Sequence, residues 1–208
     1  MRNGTENQII LIFIRHGKTK GNEEHRYPGQ EDEPLSEKGT EELLRKSREG
    51  FYPAVDFVFS SPTKRCQETA RLLYPAMKAR HILKWTEIDF GLFAGKNYEE
   101  LKENQDYQKW LESNGTLPFP QGESRQDFSR RCEEGFHEML DKLERIREKT
   151  DKKPIKAGIV VHGGTIMDLL SRHGRGGYFD YQIQNGEFFS VQAVWKGTEV
   201  IFKEISRG

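Results

Sequence analysis

Ile9-Ile10-Leu11-Ile12-Phe13-Ile14 is apolar at every position. Such a run predicts a strand covered on both faces rather than one with a wet side. Further strand signals lie at Val55–Ser60, Arg80–Trp85, Ala157–Val161, Phe188–Trp195 and Glu199–Ile205. Between most of them the apolar spacing changes to that of amphipathic helices. One helix opens at Ser36 with Gly39 and Thr40 and runs to about Glu49, with Leu43 and Leu44 on its inner face. A second covers Thr63–Tyr74, with Pro62 suited to its first turn because proline there loses no helical hydrogen bond. The longest runs from Glu123 to about Lys149, repeating Phe128, Cys132, Phe136, Met139, Leu140, Leu143 and Ile146. A fourth, Gly163–His173, begins with small residues and continues through Ile166, Leu169 and Leu170.

Strands alternating with helices imply an α/β fold: a three-layer α/β/α sandwich around a mostly parallel central sheet. Only Lys196-Gly197-Thr198 separates the last two strands, which predicts a hairpin at one edge. No repeat or linker divides the 208 residues, so residues 1–208 read as one domain. The stretch at about 96–120, with Tyr98, Tyr107, Trp110 and Pro118-Phe119-Pro120, reads as a cap-like insertion over the strand carboxyl ends.

Composition narrows the partners. Lys plus Arg and Asp plus Glu each total 33, so no bulk charge draws the chain to nucleic acid or to an anionic membrane. No apolar run is long enough to span a bilayer, and Met1–Gln8 lacks the apolar core of a signal peptide. Cys66 and Cys132, without a CxxC or His-rich setting, read as free thiols, and the expected compartment is the cytoplasm. A monomer and a homodimer are both compatible with these features.

The chemistry gathers where strands end. Arg15-His16-Gly17-Lys18-Thr19 follows the first strand directly, at the rim where open α/β sheets bind ligands. Arginine can fork onto a phosphate, and histidine can serve as nucleophile, base or ligand. A second junction, Ser60-Ser61-Pro62, places Arg65 in the first turn of a helix, whose amino end favours anions. A third, His162-Gly163-Gly164, sets a histidine before glycines that let backbone N–H groups approach an anion. Between them, Trp85-Thr86-Glu87-Ile88-Asp89-Phe90-Gly91 supplies a carboxylate among apolar neighbours, where burial would favour the protonated form of a general acid. Two arginines and two histidines in one crevice call for a dianion. A metal site is the competing account, but the arginines would repel a divalent cation and no HxH, HExxH or DxD grouping joins the histidines. The absence of GxxxxGK[ST] excludes a P-loop.

Arg15-His16-Gly17 with Thr19 and Asn22, then Ser61-Pro62 and Arg65, Glu87 with Phe90-Gly91, and His162-Gly163-Gly164 resemble, in order, the signature segments of the histidine phosphatase superfamily. The resemblance runs from about Ile9 to Leu170. It implies that His16 accepts the phosphoryl group as a phosphohistidine and that Arg15, Arg65 and His162 hold its oxygens. Asn22 would donate a further hydrogen bond, with Gly163 also at the phosphate. Glu87 would protonate the leaving oxygen and then activate water. No metal and no cofactor are implied, and the partner is a small-molecule phosphate ester. Three positions depart from the family pattern: Lys18 where many members have Glu, Ala94 in Phe93-Ala94-Gly95 where Glu is usual, and Val161 where Ser or Thr commonly precedes the histidine. The short bacterial branch that includes α-ribazole phosphatase is similar at Tyr27-Pro28-Gly29, Pro34-Leu35-Ser36, Asp89-Phe90-Gly91 and Phe119-Pro120-Gln121-Gly122-Glu123-Ser124. The alternatives are a cofactor-dependent phosphoglycerate mutase and a non-catalytic phosphate-ligand binding module. Mutases of the family carry longer insertions before the second histidine, whereas 75 positions separate Glu87 from His162 here.

Overall fold

A computed structural model describes residues 7–28, 32–147, 154–196 and 199–208. Strands β1 (Asn7–Arg15), β2 (Phe57–Ser60), β3 (Arg80–His81), β4 (Ile155–Val161), β5 (Phe188–Lys196) and β6 (Glu199–Arg207) form one sheet in the order β3-β2-β4-β1-β5-β6. The first four in that order are mutually parallel, while β5 and β6 run antiparallel to their neighbours. β4 passes between β1 and β2, so the ends of all three strands meet along one central rim.

The apolar run of β1 serves both faces of this sheet. Ile9, Leu11 and Phe13 pack beneath α6 (Arg125–Arg147) and α7 (Gly163–His173), together with Phe128, Phe136, Met139 and Leu169. Ile12 and Ile14 pack against α2 (Glu37–Arg48) and α3 (Lys64–Leu73), with Leu43, Cys66, Ala70 and Leu73. Side chains alternate along a strand, so each helical layer draws on every second residue. Helix–sheet–helix layering and a mostly parallel sheet therefore agree with the sequence expectation. The β5–β6 hairpin forms the antiparallel edge, although Gly197 and Thr198 lie outside the described residues.

Four local expectations need correction. The strand signal at Arg80–Trp85 yields only Arg80–His81, because its partner β2 stops at Ser60. The chain then turns through Leu83–Trp85 and drives Trp85 into the core, where its indole Nε1 donates to the Cys132 carbonyl at 3.1 Å. Pro62 lies before the capping residue Thr63 rather than in the first turn of α3. The long helix starts at Arg125, since Ser124 Oγ accepts from the Asp127 amide at 3.0 Å, which is the contact of an N-cap. Its expected end beyond Arg147 falls outside the described residues. Leu44 is 38% exposed, one position round the helix from the buried Leu43.

The stretch from 96 to 120 carries α4 (Tyr98–Leu101) and α5 (Gln105–Glu112). It forms a small cluster of its own, in which Phe93, Leu101, Tyr107 and Phe119 pack with Tyr27, Ile88, Phe90 and Trp110. Backbone bonds in both directions tie it to the segment after β1: the Tyr27 amide donates to Lys96 O and the Gly95 amide to Tyr27 O, each at 2.9 Å. Gly29, part of the Tyr27-Pro28-Gly29 similarity, is outside the described residues. No described helix is long and apolar enough to cross a membrane.

The junction of α6 with Trp85 offers a test of packing against propensity. A methyl group on Gly135 would approach the indole Nε1 to 2.7 Å. Gly→Ala in a helix interior is ordinarily favourable by about 1 kcal/mol. Overpacking a filled core costs about 1–3 kcal/mol. Gly135→Ala should therefore lower stability, by up to about 2 kcal/mol, as read by urea denaturation. A stabilised variant would show that the Trp85 side of the core has room.

Candidate active site

The first strand delivers Arg15 to the rim, and the chain turns at Gly17 to bring His16 inside. A side chain at Gly17 would strike Leu43 Cδ1 at 2.5 Å, so the close approach of α2 excludes one. The Gly17 amide donates to Thr69 Oγ1 at 3.0 Å, and Asn185 Nδ2 donates to the His16 carbonyl at 3.1 Å. His16 is thereby held from both flanks by two residues to which the sequence drew no attention. Its ring is 2% exposed.

The state of that ring follows from its contacts. Gly17 O lies 2.7 Å from Nδ1 and can only accept, so Nδ1 carries the proton. Nε2 then holds a lone pair, toward which Arg65 Nε–H points at 3.3 Å. Burial pushes the His16 pKa well below its ordinary value, and the charges of Arg65, His162 and Arg15 push the same way. A neutral imidazole with a fixed tautomer and an inward lone pair is a nucleophile in waiting.

Arg65 enters from the second position of α3 and is 4% exposed. Its Nη2 lies 3.3 Å from His162 Nδ1 and 3.9 Å from Glu87 Oε2. His162 caps α7 and is fully buried, with Nδ1 at 3.2 Å from Glu87 Oε2 and Nε2 at 2.9 Å from Ser61 Oγ. The hydroxyl that the family pattern places before this histidine, where Val161 stands here, is thus contributed by Ser61 from a neighbouring strand end. Burial pushes His162 down, but Cys66 and Glu87 outweigh it and raise its pKa to about 9. Arg15 Nη1 donates to the Ile183 carbonyl at 2.7 Å, while its Nε is buried without a partner. A methyl group on Gly163 would sit 3.4 Å from that Nε, so glycine there leaves open the space the free N–H faces.

Glu87 corrects the sequence reading. Burial does push its carboxyl up, but the His162 charge and hydrogen bond and the Arg65 charge overcome this, holding it well below the usual range. Glu87 is therefore ionised, because its neighbours are cations rather than the apolar groups that flank it in sequence. Its position is set by Arg131 of α6, whose guanidinium donates to the carbonyls of Lys84, Thr86 and Glu87 and pairs with Glu123 at 2.7 Å. Asp89 is occupied elsewhere, accepting from the Gly91 amide at 2.9 Å. Asn22 Oδ1 accepts from the Thr19 amide and from Asn185 Nδ2, which leaves the Asn22 amide nitrogen as the group offered to the cleft.

Arg15, His16, Arg65, Glu87 and His162 are therefore brought into one cluster, with Asn22 and Gly163 on its wall. The cluster opens into a cleft of about 930 Å³ walled on the cap side by Phe90, Trp110 and Phe119. Tyr107 packs within the cap, 3% exposed, with its hydroxyl 3.2 Å from that of Tyr27. Tyr98 is more than half exposed and does not line the cleft. Donor atoms of His16, Glu87 and His162 lie within 4.8 Å of one another, the spacing of a metal site. The Arg65 guanidinium already contacts all three residues, so a cation is built into that point.

The sequence relationships match this geometry. A profile of the histidine phosphatase superfamily (branch 1) matches residues 11–193, and the chain belongs to that superfamily of phosphatases and mutases. The chain is 30% identical over 137 residues to the "Probable phosphoglycerate mutase GpmB" of Cronobacter sakazakii (strain ATCC BAA-894), covering 64% of each protein. It is 32% identical over 120 residues to phosphoserine phosphatase 1 of Hydrogenobacter thermophilus, covering 56% of this chain and 57% of that one. The matches thus span 64% and 57% of the lengths of these two relatives. The α-ribazole phosphatase of Shigella flexneri has the same fold, with a TM-score of 0.73 at 22% identity over 94% of this chain and 95% of that one.

The raised pKa of His162 predicts an alkaline limit on anion capture. The imidazolium is present at neutral pH and is lost as pH rises through about 9. kcat/KM for p-nitrophenyl phosphate should fall above that pH by about tenfold per unit. His162→Gln should have lower activity and lack this limb; a limb that persists in the variant belongs to another group.

Proposed function

We propose that the protein hydrolyses phosphomonoesters of small metabolites through a phosphohistidine at His16, without a metal. The observation that carries this reading is the neutral, tautomer-fixed His16, with Nε2 facing a buried set of cations. Two guanidinium groups and the His162 imidazolium against one carboxylate leave a net charge that a phosphoryl dianion balances. Phosphoryl transfer is mainly positioning and stabilisation of spread charge, and these groups provide both.

In the first step His16 Nε2 forms a bond to phosphorus as the ester P–O bond breaks. The leaving oxygen needs a proton, and Glu87 is the acid beside the site. A substrate that arrives as the phosphoryl monoanion brings that proton, and the anion's charge raises the Glu87 pKa so that the carboxylate takes the proton up, while the His162 imidazolium stays in place 3.2 Å away. Glu87 passes that proton to the departing alkoxide. As a carboxylate again, it takes a proton from the water that attacks phosphorus, and the P–N bond breaks to give inorganic phosphate and neutral His16. Covalent capture replaces one hard displacement by two easier ones. The open cleft and the short cap favour water as the acceptor, and hence hydrolysis over mutase chemistry. α-Ribazole 5′-phosphate belongs among the substrates to be compared, with Trp110 and Phe119 the cleft-lining cap aromatics that would meet a flat leaving group.

Rapid quenching in alkali during turnover should trap a base-stable, acid-labile phosphoenzyme, absent together with activity in His16→Ala. A normal adduct in that variant would sink the assignment. Conversion of 3-phosphoglycerate to 2-phosphoglycerate without release of inorganic phosphate would place the protein with the mutases instead.

Glu87→Gln distinguishes an acid from a wall. Its single-turnover rate should drop about 10²–10⁴-fold with alkyl phosphates. The drop should be far smaller with p-nitrophenyl phosphate, whose leaving group needs no proton. Equal losses on the two substrates would leave Glu87 a shaping role only.

A further inference from the structure

Four guanidinium or ammonium groups line the catalytic cleft: Arg15, Lys18, Arg26 and Arg125. Arg15 faces the phosphoryl position. Lys18 is paired with Glu42 at 2.9 Å, and Arg26 with Glu24 and Glu100 at 2.7 and 2.5 Å. Arg125 makes no ion pair with any described residue. Its guanidinium lies over the Tyr178 ring, 4.0 Å from the centroid, a contact that uses none of its N–H groups as hydrogen-bond donors. The field of Asp168 reaches it from an adjoining pocket of about 490 Å³ that shares Arg125 and Tyr178 as wall. That carboxyl is buried, and burial pushes it toward the neutral form.

Arg125 is also misplaced for helix stability. It is the first residue of α6, the end of a helix where a cation is disfavoured and an acidic residue is the usual choice. The acidic residues that flank it in sequence are engaged elsewhere: Glu123 with Arg131 at 2.7 Å and Asp127 with Arg130 at 2.6 Å. A guanidinium at the cleft wall without an ion pair among the described residues, placed against its local preference, is available to an added anion.

We propose that Arg125 is a specificity residue that binds a second oxyanion on the leaving-group side of the substrate. This rests on the hydrolase reading above and deepens it: the favoured phosphomonoesters carry a carboxylate or a further phosphate in addition to the group transferred. The fork of Arg125 is suited to two oxygens of one such group.

Matched substrates isolate that group. O-Phosphoserine and O-phosphoethanolamine differ only by a carboxylate; fructose 1,6-bisphosphate and fructose 6-phosphate differ only by a phosphate. In wild type, kcat/KM should favour the first member of at least one pair by about tenfold to a hundredfold, the range of a charge-assisted hydrogen bond. In Arg125→Met that ratio should collapse toward one, chiefly through KM. Arg125→Lys, which keeps the charge but not the fork, should retain part of it, and decides the matter if Arg125→Met does not fold. The pair that responds identifies the oxyanion. A wild-type ratio under tenfold for both pairs, or a ratio that survives in Arg125→Met, overturns the proposal. Equal losses on both members of a pair do so too, by assigning Arg125 a structural role. Wild-type protein that turns over neither pair nor p-nitrophenyl phosphate would instead refute the hydrolase reading, and this proposal with it.

Discussion

Everything at the rim of this sheet depends on keeping positive charge out of water. Arg65 and His162 are almost wholly buried beside a single carboxylate, Glu87, and burial of a charge is costly unless it is compensated. Compensation comes from a few fixed dipoles: the Ile183 carbonyl on Arg15 and the Ser61 hydroxyl on His162. Arg15 Nε is buried with no hydrogen-bond partner among the described residues. The site is thus only partly satisfied, and the unmet part defines its ligand more narrowly than any single residue could. Burial, reinforced by the charges of Arg65, His162 and Arg15, keeps His16 neutral, so the cations that suit an anion also preserve the lone pair on its Nε2.

The three strand ends were legible because they combine two local signals, a buried apolar run and an abrupt change to Arg-His-Gly, Ser-Ser-Pro or His-Gly-Gly. The helical layers were legible for a similar reason, since each repeats its apolar residues at a helical period over several turns. What escaped was action at a distance. Arg131 looks like any arginine on a long helix, yet it holds three consecutive-region carbonyls that place Glu87. Asn185 and Thr69 reach the His16 loop from chain positions with no motif of their own.

Glu87 shows why a sequence neighbourhood misleads about ionisation. Ile88 and Phe90 argue for an apolar setting, and the carboxyl is indeed largely buried. Its electrostatic neighbours are nevertheless His162 and Arg65, distant in sequence, and their charges decide its state. The lost strand at Arg80–Trp85 has a comparable origin. Its residues suit a strand, but a strand needs a partner of matching length, and β2 ends too soon.

His16 and Glu87, the proposed nucleophile and acid, are held by different elements. His16 is held by Thr69 of α3, through the Gly17 amide, and by Asn185, whereas Glu87 is held to α6 by Arg131. Their spacing therefore depends on how α6 packs on the sheet, where its Phe136, Met139 and Leu143 are buried in the core. On the proposed mechanism, repacking of the interior beneath α6 would reach the chemistry through this spacing.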